Sequence, residues 1–177
     1  MLALQITNIK QTMQLLLDKN ENAFDAFLVA SASFTTYTEM MIDGHFHPEF
    51  YSAAELEELQ SEAALQNRIF SMQMIRWSQI KSQCFDFIKG THAPLHFAIS
   101  LYLAEENVEK FMSGLDTGLS ASDIAGLALD LKYDGTNLLC TCSAALKVFS
   151  MDRTVEHAWD AMVKRFFDKC NIAFEEL

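Results

Sequence analysis

The stretch Pro94-Leu95-His96-Phe97-Ala98-Ile99-Ser100-Leu101-Tyr102-Leu103 decides the fold. Leu95, Phe97, Ile99, Leu101 and Leu103 alternate with His96, Ala98, Ser100 and Tyr102. A period of two sends the apolar set to one face of a strand and the other set to the opposite face. Leu127, Leu129, Leu131 and Tyr133 repeat the pattern against Ala128, Asp130 and Lys132. Asp134-Gly135 then turns the chain into a further strand over about 138–149, a hairpin signal. Strands joined by short turns pair antiparallel, and such a sheet can bury one face and leave the other in water.

Working outward, residues 2–6 read as a first strand, and 24–33 and 35–46 as two more, rich in β-branched and aromatic residues. Residues 68–75 alternate enough to read as another strand. Helices are expected at about 7–19, 52–67, 77–89, 105–115 and 153–170. Ile6, Ile9, Met13, Leu16 and Leu17 make the apolar stripe of the first, and Ile80, Cys84, Phe87 and Ile88 that of the third. Lys81 and Lys89 fall mostly on the opposite, polar side. Ser52-Ala53-Ala54-Glu55 is a capping box that opens the acidic second helix. The last helix follows Asp152 as N-cap and carries Val155, Trp159, Met162, Val163, Phe166, Phe167 and Cys170 on one face. Its aromatic load makes it a part the fold cannot lose, so a chain ending at residue 151 is expected to unfold.

This order predicts an α+β fold, a mainly antiparallel sheet with helices packed on one side. With 177 residues, two prolines, six glycines and no linker, the chain reads as one domain over 1–177, with an acidic helical insertion at about 48–67. Half of the residues are apolar and 21% charged, which excludes a disordered or cysteine-dense chain. The net charge of −11 argues against an ordinary nucleic-acid binder. The charge is uneven: residues 66–104 are net basic through Arg68, Arg76, Lys81 and Lys89 against Asp86.

The opening Met1-Leu2-Ala3-Leu4-Gln5-Ile6 has no basic region or long apolar run, so a cytoplasmic setting is expected. No segment reaches the ~18 apolar residues of a membrane span. Cys84, Cys140, Cys142 and Cys170 read as reduced thiols, mostly buried. Cys140 and Cys142, two apart on a strand, share a face.

Phosphate loops, dinucleotide fingerprints and nucleophile elbows are absent from the sequence, and no cofactor is implied. His45, His47 and Glu49 are the candidate metal ligands: two histidines two apart share a face and a carboxylate follows, a set that suits zinc. The bland reading of the same residues is an exposed polar strand end. Lys10, Arg76, Lys81 and Lys89 are the candidate anion-binding residues. Their bland reading is a solvated helix face.

Two βαβ-like units, at 2–46 and 68–103, resemble the domain plan of the DNA sliding clamps, whose paired helices line the DNA hole with lysines. Lys10, Lys81 and Lys89 are the residues of matching type. At sequence level, Trp77-Ser78-Gln79-Ile80, Cys84-Phe85, Ile88-Lys89-Gly90-Thr91 and Pro94-Leu95 resemble an uncharacterised bacterial family of unknown function. So do Ala158-Trp159-Asp160, Met162-Val163-Lys164 and Phe174-Glu175-Glu176 in the tail. That resemblance carries no known activity, ligand or catalytic residue and implies only a bacterial cytosolic setting. The first functional reading is a non-catalytic interaction or binding module whose partner is a protein or a second copy of the chain. The alternatives are a clamp-like DNA-associated protein and a metal-dependent enzyme using His45, His47 and Glu49.

Overall fold

The computed structural model describes residues 2–177. Seven strands form one sheet: β1 (Leu2–Ile6), β2 (Phe27–Thr35), β3 (Glu39–Ile42), β4 (His96–Leu103), β5 (Ile124–Tyr133), β6 (Leu138–Leu146) and β7 (Phe174–Glu176). Five α-helices accompany them: α1 (Ile9–Leu17), α2 (Ala53–Leu65), α3 (Trp77–Ile88), α4 (Glu105–Ser113) and α5 (Thr154–Lys169). The strand order is β3-β2-β4-β5-β6-β1-β7, and every neighbouring pair is antiparallel. The fold is α+β, as the alternating strands required.

Register carries the alternation across the sheet. Leu4 faces Cys140, Cys140 faces Leu131, Leu131 faces Ile99 and Ile99 faces Ala32, so one row of buried side chains crosses five strands. Cys142, Leu129, Leu101 and Val29 form the next row. These rows join Leu16 and Leu17 of α1, Trp77 and Cys84 of α3, and Val155, Trp159, Val163 and Phe167 of α5 in one apolar cluster. The opposite face carries Thr141, Asp130, Ser100 and Ser31 in register, small or polar and outside that cluster. The Ser100 hydroxyl donates to the Asp130 carboxylate there.

Two indole N–H groups fix helices to the rest of the core. Trp77 Nε1 donates to the Leu16 carbonyl at 2.6 Å, locking α3 to α1. Trp159 Nε1 donates to the Ala128 carbonyl at 3.1 Å, locking α5 to the sheet. A buried indole left unpaired would cost about 1–3 kcal/mol, so both bonds select the observed docking. The turn between β5 and β6 spans 134–137. The Asp134 carboxylate accepts the Thr136 and Asn137 N–H groups at 2.9 and 2.7 Å, and Gly135 takes φ +100°.

The topology corrects the clamp-like plan. β1 and β2 are separated by β4, β5 and β6, so 2–46 is no βαβ unit of neighbouring strands. Pairing of β1 between β6 and β7 takes it to the far side of the sheet. Residues 68–75 form no strand. Ser71 Oγ accepts the Gln73 and Met74 N–H groups at 3.3 and 3.1 Å, and Glu106 Oε2 accepts that of Ile69 at 3.2 Å. Donors consumed by side chains are lost to a ladder. What remains are single bridges, Met74 to His45 and Arg76 to Leu28. This strap runs past Gly44, whose φ is +69° and where a Cβ would sit 2.1 Å from the Val29 carbonyl oxygen. The strand expected over 35–46 is confined to Glu39–Ile42, and β7 is a strand the sequence reading did not contain.

Candidate functional site

The segment 43–49 holds its histidines in water. His47 Nδ1 lies 3.0 Å from Glu49 Oε1, and His47 Nε2 lies 3.8 Å from Asp43 Oδ2. His45 Nδ1 lies 3.1 Å from the Asp43 carbonyl oxygen and 4.0 Å from its carboxylate. The hydrogen bond and charge of Glu49 raise the His47 pKa above its ordinary value. Among the described residues no group of three His, Cys, Asp or Glu side chains converges as a metal site. His45, His47 and Glu49 are all exposed at this loop end.

The four basic candidates separate. Lys10 and Lys89 are exposed, and Lys89 pairs with Asp86 at 2.8 Å. Lys81 is buried, against the expectation of a solvated helix face. Its Nζ donates to the Glu21 carbonyl and pairs with Asp25 at 2.9 Å. Arg76 turns inward as well: Nη2 meets Glu106 Oε1 at 2.7 Å and the Ile69 carbonyl at 3.2 Å. α1 and α3 do pack on each other, but Lys81 and Arg76 serve the interior. A charge removed from water must be paired to be tolerated, and both are.

Three of the thiols, Cys84, Cys140 and Cys142, are buried as well, and Cys170 is half-buried. Burial pushes the Cys84 thiol up to about 12. Cys140 is raised by its hydrogen bond with Cys142 and then by burial, and Cys170 is raised by burial. A protonated thiol is a poor nucleophile. All four cysteines are free.

An apolar concavity lies between α4, α5 and the segment before β2. Its volume is about 290 Å³. Phe27, Phe111, Trp159, Met162, Val163 and Phe166 wall it, and Ala23 and Ala26 line one side. Phe166 packs edge-on to Phe24 at 5.2 Å, and Phe111 edge-on to Trp159 at 6.1 Å. Edge-to-face rings hold one another in place, so the walls are preformed. Asn107 and Lys110 of α4 supply the polar part of the lining. Concave, apolar and edged by a few polar groups is the usual form of a ligand site. Sequence reading missed it because its walls come from residues 23–27, 103–111 and 159–166, which periodicity assigns separately to core.

A second surface is the loop from β6 to α5. Phe149 and Met151 are 95% and 87% exposed. The loop is nevertheless pinned: Lys147 N–H donates to the Asp123 carbonyl at 2.8 Å, and Thr117 Oγ1 donates to Asp152 at 2.8 Å.

A model of a family of unknown function, DUF5721, matches residues 14–175, more than half of the chain. The chain belongs to this family. No curated protein and no solved structure matches it. The matched span takes in the whole of α2 to α5 and residues 14–17 of α1, and it includes every wall of the aromatic groove. No helix among the described residues is long and apolar enough to cross a membrane.

Proposed function

We propose that the protein is a non-catalytic binding module of the cytoplasm that docks an apolar segment of a protein partner in the groove between α4 and α5. The observation that carries this reading is the groove itself: about 290 Å³ of open apolar space beside a finished core. A well-packed interior leaves few voids larger than a water molecule, so a preformed aromatic trough this size is a surface kept for an occupant. Lys110 and Asn107 at its polar side favour a segment with an acidic or carbonyl-rich flank. The exposed Phe149 and Met151 enlarge the apolar surface available to a partner. The free thiols accord with a reducing compartment.

The test is fluorescence titration with 1-anilinonaphthalene-8-sulfonate, an apolar body with an anionic group. The native chain is expected to bind it saturably. Ala23→Trp, which fills the groove with a large side chain, is expected to abolish the signal at an unchanged melting midpoint. Absence of saturable binding, or equal binding by the variant, overturns the reading.

A further inference from the structure

The second concavity lies beneath α2, where residues 68–76 pass between α2 and the first turn of α3. It holds about 140 Å³. Arg68 and Arg76 both line it. Arg76 uses Nη2 on Glu106 and Ile69, but its Nη1 is buried with no hydrogen-bond partner, the one such side-chain atom among the described residues. Leaving a buried guanidinium N–H unpaired is costly, more so than for a neutral donor. Arg68 has no carboxylate within ion-pair distance among the described residues.

The rest of the lining divides by chemistry. Ser78 and Gln79, from the first turn of the twelve-residue α3, bring the positive end of that helix to the cleft. Phe46 and Phe70, packed edge-to-face at 5.3 Å, supply an apolar wall. Glu62 of α2, exposed, is a carboxylate on the same lining. It opposes an anion, but it does not satisfy Arg76 Nη1. Two guanidinium groups with unused donors, a helix N-terminus and an aromatic wall form a receptor for an acceptor-only group attached to a small apolar body.

We propose that this cleft binds a small oxyanion, a carboxylate or phosphate group, between Arg68 and Arg76, with the ligand's apolar part against Phe46 and Phe70. The ligand's oxygens complete the hydrogen bonding of Arg76 and place a charge where the α3 dipole favours it. Arg76 is fixed in advance by Glu106, so little side-chain freedom is lost on binding. The site is separate from the aromatic groove and stands without it.

The experiment is isothermal titration calorimetry of the full chain with sodium benzoate, inorganic phosphate and benzylamine, each to about 10 mM, a range that detects affinities near 1 mM. Benzoate, phosphate or both are expected to bind; benzylamine is not. Binding of benzoate alone identifies a carboxylate site, and binding of phosphate alone a phosphate site. Arg68→Gln is expected to weaken binding by about tenfold at an unchanged melting midpoint, the scale of one charge-assisted contact. Arg76→Lys, which keeps a cation opposite Glu106 and removes Nη1, is expected to do the same. Should that variant unfold, Arg68→Gln decides alone. Ala23→Trp is expected to retain binding, which separates this cleft from the groove. Failure of both anions to bind, equal heat from benzylamine, unaltered affinity in Arg68→Gln, or loss of binding in Ala23→Trp overturns the proposal.

Discussion

Helices α2 and α5 have thirteen and sixteen residues, yet α2 buries none of its side chains and α5 buries Val155, Trp159, Val163 and Phe167. Those four recur every fourth residue and form a stripe against the sheet. α2 is capped by side chains at its N-terminus. Ser52 Oγ accepts the Glu55 N–H at 3.3 Å, and Glu55 returns the favour to the Ser52 N–H at 2.7 Å. Leu56 and Leu59 are only half-buried. One helix is thus a product of tertiary packing and the other of local capping. The difference fixes which helix the fold depends on.

The sharpest way to break this contrast is to remove each helix's own support. A chain ending at residue 151 loses α5, β7 and the cover of the Cys140 and Cys142 rows. It is expected to lack a cooperative melt in circular dichroism, whereas an unchanged midpoint would mean that α5 is an accessory.

A smaller effect is expected where α5 begins. Helical geometry starts at Thr154, with Arg153 as N-cap, one residue later than the sequence reading placed it. Asp152 still serves the terminus, accepting the Thr154 hydroxyl at 2.5 Å and its N–H at 2.9 Å. The Thr154 hydroxyl, its N–H and then Thr117 hold the Asp152 carboxyl below its ordinary pKa. A depressed carboxylate stabilises the fold above its unfolded pKa of about 3.9 and ceases to do so as pH falls through the folded value. The melting-midpoint gap between the native chain and Asp152→Asn should therefore be constant near neutrality and narrow below about pH 4. A gap that widens in acid would refute the assignment.

Least affected is the global melt when α2 loses its cap. Ser52→Ala should cost about 1 kcal/mol of local helix stability. Hydrogen exchange should quicken over 53–65 while the melting midpoint stays in place. Loss of the whole fold would show that α2 is as deeply tied in as α5.

The same contrast explains what the sequence disclosed. β4, β5 and β6 were legible because alternation over Leu95–Leu103 and Leu127–Tyr133 is local and ends at Asp134-Gly135. α5 was legible because its stripe is four residues in period. The strap at 68–76 was not, since its alternation competes with Ser71 and Glu106 for backbone donors. β7 escaped because Phe174-Glu175-Glu176 has no alternation to read and forms only beside β1. Lys81 and Arg76 looked like solvated charges because their partners, Asp25 and Glu106, lie 56 and 30 residues away in sequence. The candidate groove was hidden for the same reason. Its residues are ordinary core formers, and only the gap between α4 and α5 makes them a site.

That gap is most directly probed by carbon-13 methyl spectra of the full chain, recorded while 1-anilinonaphthalene-8-sulfonate is added to saturation. The account predicts shifts at Ala23, Ala26, Met162 and Val163, with Ala98 and Leu139 on the uncovered sheet face unmoved. Shifts centred on Met151 or on the uncovered face, with the groove methyls still, would contradict it.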